Sequence, residues 1–153
     1  MQYIKELLKE ANQLLNKADH LTYITYPSIK EPKLLCLVIE DLQKATDNIM
    51  QLVLYRERLY KRIDPIKKVY SQEFEIFKKI AKRYGIDENQ TELVKDLKKM
   101  VIANKESPMR FKRKDKYVIC SNDYKMNVID IKKVKDYVQK TKIIVHNINR
   151  RLI

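Results

Sequence analysis

The residues best suited to chemistry in this chain are few and scattered. There are two histidines, His20 and His146, and two cysteines, Cys36 and Cys120, with no Cys-x-x-Cys spacing and no histidine beside either thiol. Neither a metal site nor a redox pair follows from that pattern. Both cysteines are expected as reduced thiols, Cys36 buried and inert and Cys120 at most half exposed. His146 and Arg150 share a helix face at four-residue spacing, where a base and a phosphate clamp could sit together. His20, Tyr23 and Tyr26 are spaced by three and could line a pocket, although rings at a helix end more often pack and give their polar tips to backbone. A nucleophile, a histidine and an orienting acid are not brought together by anything in the sequence. The expectation is therefore a protein without a catalytic centre, cofactor or metal, with an enzyme site assembled between helices as the remote alternative.

The strongest positive signal is charge. The chain carries 33 basic and 20 acidic side chains, a net +13. They are placed unevenly: residues 1–104 hold 19 basic and 15 acidic groups, net +4, and residues 105–153 hold 14 and 5, net +9. The run Arg110-Phe111-Lys112-Arg113-Lys114-Asp115-Lys116-Tyr117 concentrates cations around two rings, and Lys125 follows shortly after. Cations contact phosphates and release counterions, while rings stack unpaired bases, a combination that suits single-stranded or irregular RNA better than duplex DNA. Arg110, Phe111, Lys112, Arg113, Lys114, Lys116, Tyr117 and Lys125 are thus the candidate binding residues. The expected partner is RNA, a ribonucleoprotein or another polyanion. A protein partner or a homodimer is the alternative, and a lysine-rich composition without functional meaning is the plain explanation of the charge.

These residues must be held by helices. With a single glycine and four prolines, the chain has the composition of a helical bundle, and no Gly-x-Gly phosphate cradle can exist. The organising stretch is residues 32–62, where Leu35, Ile39, Leu42, Ala45, Ile49, Leu52 and Val53 follow helical steps and two turns are apolar nearly all round, as a central helix requires. A first helix is expected over Gln2–Tyr23. Its connection to the second through Tyr26–Pro32 offers either Ser28 with Glu31 as a capping box or Glu31 before Pro32. Asp64 and Pro65 read as the start of a third helix that Gly85 ends, and Asp87 with Gln90 as the start of a fourth that Ser107-Pro108 stops. Asp130 caps the last. Between them, Tyr117–Cys120 and Tyr124–Val128 flank Ser121-Asn122-Asp123 as a β-hairpin, its Tyr124, Met126 and Val128 expected to face the bundle. The fold class is all-α: a single domain, 1–153, built as an up-and-down bundle of about five helices with a small β-hairpin (117–128) before the last helix. The longest apolar run is too short for a membrane span. Met1–Glu6 reads as the start of an amphipathic helix and not as a signal peptide, so a soluble cytoplasmic protein is expected.

The stretches Ala18–Pro27, Lys30–Leu35 and Arg113–Ser121 resemble small all-helical proteins of archaeal genomes that have no assigned function. The bundle is also similar, more weakly, to HEPN-type domains, four- or five-helix units that act as ribonucleases or as partners of nucleotidyltransferases. Their nuclease signature is an Arg followed four to six residues later by His. Here His20 has no preceding Arg, and Lys142 and Lys140 precede His146. That likeness implies a helical interaction subunit and no nuclease.

Overall fold

The structure, a computed structural model, describes residues 2–152. Five long helices, α1 (Gln2–His20), α3 (Lys33–Leu59), α4 (Tyr70–Ile80), α5 (Glu88–Glu106) and α6 (Ile131–Leu152), are joined by the one-turn helix α2 (Tyr26–Ile29) and by strands β1 (Met109–Arg113), β2 (Lys116–Cys120) and β3 (Met126–Ile129). Among the described residues no helix is long and apolar enough to cross a membrane.

Helix α3 is the axis. It touches α1, α4, α5 and α6, which explains why its apolar residues are not confined to one stripe. Ile49, Leu52 and Val53 are at most 1% exposed, as their spacing predicts. The helix ends at Leu59, three residues short of the expected boundary, because Lys61 turns to a φ of 56° and breaks the repeat.

The first two helices are joined differently from expectation. A π turn over Leu21–Thr25 carries α1 directly into α2, so Tyr26–Ile29 is helix and only Lys30–Pro32 links it to α3. Pro27 has no N–H and a ring that crowds the preceding turn, and the wider π turn accommodates it. Ser28 forms no capping box; its hydroxyl donates back to the Ile24 carbonyl at 3.4 Å.

The third helix begins at Tyr70 and not at Asp64-Pro65. The segment has a helix-start signature, but Lys67 and Lys68 are exposed and Val69 is 46% exposed, so little burial holds a helix there. Ile63, Ile66 and Tyr70 only lean on the core half-buried, and the first fully buried side chains are Phe74 and Phe77. At its other end the helix tightens into a 3-10 turn, Ala81–Tyr84, closed by Gly85 at φ 74°. Gly85 N–H donates to Lys82 O and Ile86 N–H to Ala81 O, both at 3.1 Å, the paired bonds of a Schellman cap. Asp87 and Gln90 exchange bonds of 2.9 Å as a capping box, and Asp130 accepts from Lys133 N–H at 2.8 Å.

One buried polar cluster has no counterpart in the sequence pattern. Glu57 lies between Arg56 and Arg58 near the end of α3, yet it is 0% exposed. Its carboxylate accepts from Arg83 at 2.6 Å, Arg62 at 2.9 Å and the Tyr84 hydroxyl at 2.9 Å. Arg56 donates to the same hydroxyl at 3.1 Å. Burial works to raise the pKa of Glu57, but the bonds from Tyr84, Arg83 and Arg62 outweigh it and hold the carboxyl below its ordinary value.

Candidate nucleic-acid interface

The basic run is a strand. The expected hairpin is present, Lys116–Cys120 pairing antiparallel with Met126–Ile129, and Met109–Arg113 adds a further antiparallel strand to it, giving a three-stranded sheet in the order β1-β2-β3. The turn between the first two strands is Lys114-Asp115, with Lys114 at φ 59°. The third strand starts at Met126, after a turn in which Tyr124 takes a φ of 63°. All of β1 is exposed, and its two arginines and one lysine blunt it as a sheet edge.

The register sorts the candidate residues onto two faces, since directly paired residues point the same way. Inward go Arg110, Lys112, Tyr117, Ile119, Asn127 and Ile129. Ile119 and Ile129 are each 1% exposed within the main core, and Tyr117 packs against it half-buried. Arg110 donates to the Asn104 carbonyl at 3.3 Å, and Lys112 pairs with Glu31 at 2.5 Å. The hydrogen bond from Lys112 holds the Glu31 carboxyl below its usual value. These two cations therefore tie the sheet to α5 and to the start of α3. Nearby Tyr26, itself buried, donates from its hydroxyl to Asp115 O at 3.3 Å and anchors the tip of the first turn.

Outward lie three rows across the sheet: Arg113 with Lys116, then Phe111, Val118 and Val128, then Met109, Cys120 and Met126. The expected orientation of β3 is thus reversed. Tyr124, Met126 and Val128 do not pack on the bundle, and the residue of β3 that does is Ile129. Phe111 and Val128 are each 37% exposed, Met126 52% and Met109 59%, whereas Val118, flanked by Phe111 and Val128, is 1% exposed. A shallow hollow of about 260 Å³ opens between Arg113, Lys114, Lys116, Val118, Met126 and Val128. Among the described residues Arg113, Lys114 and Lys116 have no ion-pair partner, and Lys125 reaches Asp123 only at 3.9 Å. Of the eight candidates, five (Phe111, Arg113, Lys114, Lys116 and Lys125) are free to meet a ligand; Arg110, Lys112 and Tyr117 are engaged by the fold. Sequence reasoning missed Met109, Val118, Met126 and Val128 as parts of the same surface. The alternation Met109-Arg110-Phe111-Lys112 was the available signal.

The other candidates do not assemble. His20 meets Thr25 at 3.4 Å. The Tyr23 hydroxyl accepts from Gln139 at 2.8 Å, and its ring lies 5.5 Å from the Lys135 ammonium and 5.6 Å from that of Lys142. His146 is exposed, and Arg150 turns to a different hollow. Cys36 is buried and Cys120 half-buried, both free. Burial, reinforced by Glu40, pushes the Cys36 thiol up to about 12 despite opposing fields from Arg110 and Lys33.

Comparison with family models, curated proteins and solved structures finds no match to this chain. The resemblances seen in the sequence therefore assign nothing, and the reading of the site rests on its own geometry.

Proposed function

We propose that this protein is a non-catalytic RNA-binding module that uses the outward face of its sheet. The observation that supports this is the arrangement of that face: an exposed Phe111 beside a recessed apolar row, with the unpaired cations Arg113, Lys114 and Lys116 at one end and Lys125 at the other. A row of cations alone would suit any polyanion. The ring and the apolar floor add a surface for unpaired bases, which a bare polyphosphate lacks and a duplex hides.

The test is fluorescence anisotropy with single-stranded RNA over a salt series. Each phosphate contact on a single strand contributes roughly 0.7 to the log–log salt slope, so replacing Arg113, Lys114 and Lys116 with Gln should flatten the slope by about 2. Phe111→Ala should weaken binding by about 1 to 3 kcal/mol with the slope preserved, because stacking is largely independent of counterions. An unchanged affinity in the triple variant would remove the sheet from consideration. The apolar rows equally favour a protein partner for a helical interaction subunit, and absence of RNA binding at low salt would put that reading in front.

A further inference from the structure

Arginine is concentrated at one place in this fold. The chain has 25 lysines and eight arginines, and six of the arginines belong to segments that meet at one end of the bundle: Arg56, Arg58 and Arg62 from the end of α3, Arg83 from the 3-10 turn, Arg150 and Arg151 from the last turn of α6. A lysine-rich composition does not explain that placement. Arginine differs from lysine in presenting a planar fork that matches phosphate oxygens.

The cluster is pre-arranged. Glu57 anchors Arg62 and Arg83, and Arg56 and Arg62 lie 5.1 Å and 5.2 Å from the centroid of the Tyr60 ring. Arg151 donates to the Arg83 carbonyl at 3.0 Å, and Asn147 to the Gly85 carbonyl at 2.9 Å. Between them lies an open hollow of about 340 Å³ lined by Gly85, Asn147, Arg150 and Arg151. Among the described residues Glu57 is the one carboxylate within ion-pairing distance of these guanidiniums. Asp87, two residues beyond Gly85, turns its carboxylate to the Gln90 N–H. Among the described residues, five arginines (56, 62, 83, 150 and 151) against one carboxylate leave four positive charges. The C-terminal dipoles of α3 and α6 offset only about half a charge each, so roughly three remain. Arg150 is exposed, lines this hollow and forms no ion pair among the described residues.

We propose that this hollow is a binding site for a phosphate-type dianion, held by Arg150 and Arg151 with the Glu57-anchored guanidiniums as its positive background. The site lies on different elements from the sheet and stands or falls independently of RNA binding there. A free small phosphate and the terminal phosphate of a larger molecule present the same dianion. Inorganic phosphate tests the first, and a 5′-phosphorylated dinucleotide against its 5′-hydroxyl form tests the second, by isothermal titration calorimetry and thermal melting at matched ionic strength. The expected result is saturable binding of at least one probe that raises the melting temperature. Arg150→Gln should weaken it about ten- to a hundredfold, the loss of a charge-assisted contact, while the melting temperature without ligand stays unchanged. Lys9→Gln, on the exposed side of α1, should leave it unaltered. Binding of neither probe, a rise matched by chloride alone, or wild-type affinity in Arg150→Gln overturns the site.

Discussion

Replacing Glu57 with Ala should destabilise the protein more than any other single change to a charged residue. The carboxylate is fully buried and accepts three bonds, and its partners differ in what they can do without it. The Tyr84 hydroxyl sits on a side chain only 2% exposed, cannot turn to water and bears the full cost of an unmade buried bond, about 1 to 3 kcal/mol. Arg62 and Arg83 are 49% and 56% exposed; each can rehydrate, and each adds less. With the packing lost at a buried site, the total is about 3 to 5 kcal/mol, the range for removing one partner of a buried ion pair. Glu57→Gln keeps the shape and an acceptor for Tyr84, and should cost less. The pH dependence separates charge from packing. The folded pKa lies below the unfolded 4.5, so the stabilisation is complete above 4.5 and is lost as pH falls through the folded value. The gap between wild type and Glu57→Gln should therefore narrow from about pH 7 to about pH 3, while that for Ala keeps its packing part. Urea unfolding at constant m reads all of this. A loss under about 1 kcal/mol for Ala, or a Gln gap that does not change with pH, would refute the reasoning.

Three further outcomes follow from the core and the thiols. Leu52→Ala, at 0% exposure on the central helix, should cost about 2 to 5 kcal/mol in the same assay; a melt indistinguishable from the parent would contradict the central packing of α3. A thiol-reactive probe should label Cys120 well before Cys36 in the folded protein, and fast labelling of Cys36 would move the Leu34–Ile39 run from core to surface. Because burial raises the Cys36 thiol from 9.0 to about 12, its neutral form favours the folded state. Stability should fall as pH rises between those values, with a slope of up to about 1.4 kcal/mol per pH unit from this group. Cys36→Ala should show a shallower decline, and equal slopes would show the thiol is not protected.

The bundle was legible because its signals were local and agreed with one another. The apolar steps of α3, the cap at Gly85, the Asp87–Gln90 box and the cap at Asp130 each need only a few neighbouring residues, and burial of the same segments supports them. Asp64-Pro65 shows where that logic stops. Its residues are right for a helix start, but no apolar side chain within the next turn reaches the core deeply, and the helix waits for Tyr70. Glu57 was illegible for the converse reason: flanked by two arginines it reads as part of a solvated face, and only Tyr84 and Arg83, brought in from a distant turn, make it interior.

Within the sheet the hairpin was legible, but the added strand and the facing of β3 were not, and that changes the functional reading. The sheet's first turn is Lys114-Asp115, without the Asn-Gly or Gly-Gly pair that marks a tight hairpin, so nothing local marks β1 as a strand. Its middle strand, Tyr117-Val118-Ile119-Cys120, is apolar on both faces, and a period of two cannot orient such a strand. The choice falls to its neighbour, where Ile129 shares a face with Tyr117 and Ile119 and takes that face into the core. Everything on the other face then turns outward together. Tyr117, which from sequence stood level with Phe111 as a stacking ring, goes to the core, and Lys112 goes with that face to Glu31. Of those two rings Phe111 is left on the outward face, beside Arg113 and Lys116, which no acid in the described protein has claimed.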